Sequence, residues 1–129
     1  MPPFQCLAPK IHRILVCGSR SIQDVPWVHS QITEFVRSLN LPQPPILVEG
    51  EARGVDTIAK HYALSQGWQI EPYPADWEHL GKVAGFIRNK QMVKVSDAVL
   101  VLWDGTSHGT KHDIDLCVKY HKTHKVVIY

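Results

Sequence analysis

The sequence predicts one α/β domain: a five-stranded parallel sheet, ordered 3-2-1-4-5, with helices on both faces. Three observations carry this. First, five short apolar runs alternate with four stretches of helical periodicity, and strict alternation of this kind implies a parallel sheet. Second, Ala98 to Trp103 is an unbroken apolar run, as expected of a strand covered on both faces. Third, the run Trp68 to Tyr73 contains Pro72, which lacks a ladder donor and belongs at a sheet edge. With right-handed crossovers, order 3-2-1-4-5 puts the Pro72 strand at an edge and makes strands 1 and 4 neighbours, whereas order 2-1-3-4-5 would bury it.

The elements follow in chain order. Residues 1–10 read as a flexible tail and residues 11–129 as the domain. Ile11 to Cys17 is the first strand, ending in Gly18-Ser19-Arg20. Asp24 is a candidate helix cap, and Val28, Ile32, Phe35, Val36 and Leu39 recur at helical spacing to make one apolar face. Pro42, Pro44 and Pro45 stop that helix. Ile46 to Val48 is the second strand and Glu49 to Gly54 a turn. Val55, Ile58, Ala59, Tyr62 and Ala63 mark the second helix, which stops at Gln66-Gly67. Trp68 to Tyr73 is the third strand, and Pro74 to Gly81 is a loop. The next helix spans Val83 to Val95, with Phe86, Ile87, Val93 and Val95 as core residues. After the fourth strand, Asp104 to Thr110 forms a loop of small and polar residues. A helix from Thr110 to His121 buries Ile114, Cys117 and Val118, and Val126 to Tyr129 is the last strand.

With 129 residues, 44% hydrophobic and 20% charged, the chain has the composition of an ordinary globular domain. No apolar run reaches membrane-spanning length, and the first ten residues lack a signal-peptide pattern. The three cysteines, Cys6, Cys17 and Cys117, form no metal-type pair and point to reduced thiols in a cytoplasmic setting. His108 and His112 stand four apart, with Asp113 adjacent, but no third fixed ligand accompanies them. Neither a metal nor a cofactor is expected. The net charge of +2, without a basic stripe, argues against nucleic acid as a partner.

In an open parallel sheet, ligands bind beyond the carboxyl ends of the strands. Three loops there suit an anion: Gly18-Ser19-Arg20, Gly50 to Gly54 and Gly105 to Thr110. Glycine allows close backbone approach, hydroxyls donate, and a following helix N-terminus attracts negative charge. Neither G-x-G-x-x-G nor G-x-x-x-x-G-K-[ST] occurs, which disfavours ordinary dinucleotide enzymes and P-loop ATPases. Arg53 sits at a helix N-terminus, where a cation is unfavourable unless an anion is near.

These loops, with Ala75-Asp76-Trp77, Gly81-Lys82-Val83-Ala84-Gly85, Arg88-Asn89 and Met92, resemble the SLOG superfamily in order and spacing over Ile11 to Tyr129. That superfamily joins DprA-like proteins to the LOG (lysine-decarboxylase-like) nucleotide phosphoribohydrolases. The resemblance implies a Rossmann-like three-layer fold that binds a nucleotide or nucleotide derivative, and an oligomer of like chains. Arg88-Asn89-Lys90-Gln91-Met92 resembles the LOG R-K-x-x-M helix, with Asn89 in place of lysine. Gly109 to Asp113 resembles the end of P-G-G-x-G-T-x-x-E, with Asp113 in place of glutamate and Thr106-Ser107 in place of two glycines.

The expected ligand-binding residues are Gly18, Ser19, Arg20, Gly50, Arg53, Gly54, Asp56, Trp77, Arg88, Asn89, Asp104, Gly105, Thr106, Ser107, Gly109 and Thr110. By the resemblance, Arg88 and Asp113 would be catalytic if the chain is an enzyme, helping to break an N-glycosidic bond. Structural roles stand beside several of these. Asp56 and Asp113 suit the helix dipole, Asp104 suits a turn cap, and Trp77 suits either a lid or a stacking platform. The incomplete catalytic pattern favours a sensor, receptor or sequestering module for a nucleotide-derived small molecule. A nucleoside monophosphate phosphoribohydrolase comes second, and a DprA-like single-stranded DNA binder third.

Overall fold

The computed structural model describes residues 11–129, so the expected tail over residues 1–10, Cys6 included, lies outside the described residues. The strands are β1 (Arg13–Gly18), β2 (Ile46–Glu49), β3 (Gln69–Pro72), β4 (Ala98–Trp103) and β5 (Thr123–Ile128). The helices are α1 (Val25–Leu39), α2 (Val55–Ser65), α3 (Trp77–Leu80), α4 (Ala84–Val95) and α5 (His108–Lys119), with a 3-10 turn at Gly81–Val83. All four strand pairings are parallel, in the order β3-β2-β1-β4-β5. The predicted order holds, and the Pro72 strand lies at an edge.

Strand side chains alternate between the two faces, and here both faces are covered. Ile14, Val16, Ala98, Leu100 and Leu102 join the core beneath α1 and α2. Leu15, Cys17, Val99, Val101, Met92 and Cys117 form the core beneath α4 and α5. Two cores fed by one strand explain the unbroken apolar run of β4. Asp24 caps α1 as the sequence suggests, accepting from the Trp27 amide at 3.2 Å, and Asn40 closes the helix in the left-handed conformation.

Several elements depart from expectation. The loop over Pro74 to Gly81 holds the short helix α3, because the Asp76 carboxylate accepts from the His79 amide and starts a turn. Phe86, Ile87 and Val95, expected in the core, are 49%, 38% and 39% exposed. The inward face of α4 is Ala84, Arg88, Asn89, Met92 and Val93. A helix that puts an arginine and an asparagine inward leaves its apolar residues for the outside, and periodicity alone misreads it. Val118 is likewise 61% exposed, while Thr110, Asp113, Leu116 and Cys117 are the buried residues of α5. That helix begins at His108, before the expected Thr110, and β5 begins at Thr123, before the expected Val126.

Gly54 is required by its conformation. Its φ is +72°, and a Cβ there would stand 2.7 Å from the carbonyl oxygens of Ser19 and Arg20. Gly54→Ala should therefore lower the melting temperature clearly in a thermal scan. Leu100→Ala, in the sealed core, should cost about 2–5 kcal/mol in urea unfolding. Val118→Ala should stay within about 0.5 kcal/mol, the opposite of what a buried position would give.

Candidate functional site

The site starts at the contact between β1 and β4. Gly18 pairs with Leu102 in register, and a Cβ on Gly18 would fall 2.3 Å from the Leu102 carbonyl oxygen. Only glycine permits this approach, and it lets the Ser19 amide donate to Leu102 O at 3.0 Å. The Ser19 hydroxyl accepts from the Asp104 amide at 3.0 Å and lies 2.8 Å from Ser107 Oγ and 3.3 Å from Thr110 Oγ1. Buried and 1% exposed, Ser19 ties the two loops together. Ser19, expected as a ligand contact, does not itself line the cavity, whereas its partners Ser107 and Thr110 do.

Beyond these strand ends lies a cavity of about 300 Å³. The expected residues Gly18, Arg20, Asp56, Arg88, Asn89, Asp104, Ser107, Gly109, Thr110 and Asp113 all line it, and Cys17, Ser21, Ala52 and Met92 join them. Of those four, Cys17 reads as part of a buried strand, while Ala52 and Met92 fall in stretches that carry the family resemblance. Ser21 could be found only through its hydroxyl, which donates to Asp104 Oδ2 at 2.7 Å.

The other expected residues lie elsewhere. Arg53 is exposed and does not line the cavity. The inner side of its loop is taken by Asp56, whose carboxylate accepts the Gly50 amide at 3.2 Å and the Ala52 amide at 3.3 Å. The protein thus supplies its own anion at this loop, and Gly50 and Gly54 serve packing. Gly105 and Thr106 are exposed and outside the cavity. Thr106 instead donates its amide and hydroxyl to Asp104 Oδ1, which also takes the Ser107 amide at 2.8 Å. These donors hold the Asp104 carboxyl well below its ordinary range, the Ser21 hydroxyl contributing most. Trp77 lines a second, adjoining cavity.

Two features of the cavity floor are chemically unfinished. Arg88, 9% exposed, donates from Nε to Asn89 Oδ1 at 2.8 Å and from Nη1 to the Gly50 carbonyl at 2.5 Å. Among the described residues it forms no ion pair, so a buried guanidinium keeps donors to spare. Asp113, 5% exposed, has one carboxylate oxygen, Oδ1, without a hydrogen-bond partner. The N-terminus of α5 also has no side-chain cap, and Gly109 and Thr110 from its first turn line the cavity. A Cβ on Gly109 would meet nothing within 4 Å.

Burial governs the acids around this floor. It pushes Asp113 up to about 7, helped by the Asp56 charge and opposed by the Cys17 thiol and Arg88. It raises Asp56 to about 6 against the pull of the Ala52 amide and Arg88. Glu49, fully buried at the end of β2 although the sequence placed it in a turn, rises to about 7 for the same reason.

Each of these carboxyls titrates higher in the folded chain than in the unfolded one, so folding favours the neutral form. The stabilisation is complete below the unfolded value of 3.8 for Asp113 and is lost as pH rises through about 7. The melting temperature of the unliganded protein should therefore fall between pH 5 and pH 8. Asp113→Asn, which cannot ionise, should flatten that fall and be the more stable form at pH 8, by about 1–3 kcal/mol. A thermal scan at each pH reads both effects.

Comparison with known proteins places this geometry in a family. Residues 12–79 match the YspA, cpYpsA-related SLOG family. The Gene 61 protein of Mycobacterium phage D29 is 38% identical over 109 residues, covering 79% of this chain and 85% of that protein. In structure, the chain resembles DNA processing protein A (DprA) of Helicobacter pylori, with a TM-score of 0.64 at 20% identity. That likeness covers 91% of this chain and 65% of DprA, so this chain spans about two thirds of it, and it shows the shared fold. DprA is described as binding single-stranded DNA, which goes against the expectation that nucleic acid is an unlikely partner. Net charge is a poor guide here because it averages over the whole surface, while Arg20, Lys82 and Arg88 gather at one end of the sheet. No helix among the described residues is long and apolar enough to cross a membrane. By the match over residues 12–79 and the phage relative, the chain belongs to the YspA, cpYpsA-related SLOG family.

Proposed function

We propose that the chain binds a nucleotide-derived ligand at the carboxyl end of its sheet, with the phosphate held between Arg88 and the N-terminus of α5. One observation carries this reading: a buried arginine with unused donors and, among the described residues, no ion pair lines a cavity beside a helix end without a side-chain cap. Burying a cation costs free energy unless an anion meets it. Guanidinium matches phosphate bidentately, and the helix terminus adds partial positive charge. Gly109 leaves space for the anion and Thr110 offers a hydroxyl. The phosphate belongs to a free nucleotide or to a DNA strand; the fold shared with DprA supports the second source.

Turnover is a second reading, favoured by one observation. The free oxygen of Asp113 belongs to a carboxyl that titrates near neutrality and lines the same cavity as Arg88. A carboxylate so placed can stabilise positive charge developing on a ribose during N-glycosidic cleavage.

Calorimetric titration with AMP and with a single-stranded oligonucleotide separates the two sources. A strand should bind with an affinity that falls steeply with salt. Arg88→Ala should weaken binding about ten- to a hundredfold, whereas Arg53→Ala should leave it within about twofold because Arg53 lies outside the cavity. Unchanged affinity in Arg88→Ala would refute the site. Release of free base from AMP, abolished by Asp113→Asn, would establish turnover, and its absence in the wild type would leave a binding module.

A further inference from the structure

A second cavity, of about 150 Å³, opens beside the first and shares Arg20, Arg88, Asn89 and Gly109 with it. Its remaining lining is Trp77, Lys82, Gly85 and Phe86. Trp77 is 52% exposed and Phe86 49%, so both offer open aromatic surface. The Trp77 ring is nonetheless held in place. It opens α3, whose start is fixed by the Asp76 carboxylate on the His79 amide at 3.2 Å. It also lies against Gly85: a Cβ there would come within 3.2 Å of Trp77 Cη2. Because residue 85 has no side chain, the indole rests on the backbone of α4 while much of the ring stays open. Arg20 and Lys82 form no ion pair among the described residues.

We propose that this second cavity is a nucleobase subsite in which Trp77 is the stacking shelf, so that the phosphate compartment and the base compartment meet at Arg20, Arg88 and Gly109. The proposal rests on the reading above and names the part of the ligand that reading leaves open. A cavity of this size takes one planar ring system. Every base has a π-face, so a shelf of this kind tolerates different bases while rejecting ligands that lack one. Arg20 and Lys82 add cations around the rim, complementary to the charge of a nucleotide.

The test is calorimetric titration of the full chain with AMP and with ribose 5-phosphate, which carries the same phosphate and sugar but no base. The wild type should bind AMP about 5- to 140-fold more tightly than ribose 5-phosphate. Trp77→Ala should bring AMP down to the affinity of ribose 5-phosphate and leave ribose 5-phosphate within about twofold. Trp77→Phe, which keeps an aromatic face, should retain most of the difference. Equal affinity of the two ligands for the wild type would overturn the proposal, as would an equal loss for both in Trp77→Ala. Those results would leave the phosphate site intact, because Arg88→Ala would still weaken both. If neither ligand binds the wild type, the phosphate site itself is refuted for free nucleotides, and the base subsite falls with it.

Discussion

The approach of Gly18 to the Leu102 carbonyl is the constraint on which the rest of this molecule depends. Strands β1 and β4 are neighbours in space although two strands and four helices separate them in sequence. The direction in which the strand order grows reverses at this parallel pair, since β2 and β3 build outward on one side and β5 on the other. Loops leaving β1 and β4 therefore diverge to opposite faces and open a crevice, where ligands bind in sheets of this kind. A side chain at position 18 would force the strands apart and undo the register that sets Ser19 against Asp104, Ser107 and Thr110.

The crevice has a polar floor beneath two apolar cores, and this costs stability. Arg88, Asp56, Asp113 and Glu49 are buried together, and an ionised carboxyl in such a place loses more hydration than its partners restore. Asp56 recovers part of that cost through the Gly50 and Ala52 amides, whereas Asp113 and Glu49 each keep an unpaired oxygen. Such groups persist where a fold is under selection for something other than stability. The imbalance lies at the same end of the sheet as the spare donors of Arg88.

Much of this was legible in the sequence. Strand order followed from the apolar run of β4 and from Pro72, because those features report how many faces and edges a strand has. Ten of the expected site residues line the cavity for a similar reason: the ends of parallel strands converge whatever their exact boundaries. The failures share a cause too. Phe86, Ile87, Val95 and Val118 were read as core because apolar residues at helical spacing usually are, but α4 and α5 turn Arg88, Asn89 and Asp113 inward. Arg53 reads as an anion ligand in sequence, which does not show that it stays outside the cavity while Asp56 folds back onto the Gly50 and Ala52 amides. Which of two nearby groups satisfies a backbone donor is decided by tertiary geometry.

The hydroxyls of Ser19, Ser107 and Thr110 form a short relay whose direction the backbone does not fix, since in each contact either oxygen can donate. Each hydroxyl has one proton to give and two lone pairs to receive with. With one Ser19 lone pair taken by the Asp104 amide, Ser19 donates to one of Ser107 and Thr110 and accepts from the other, so proton rotation alone exchanges which of these two cavity-lining hydroxyls is left free to donate. A wall of this kind presents a donor to a fully ionised phosphate oxygen and an acceptor to a protonated one. For the proposed phosphate site, this pair of hydroxyls would meet both charge states that a phosphate monoester takes near neutral pH.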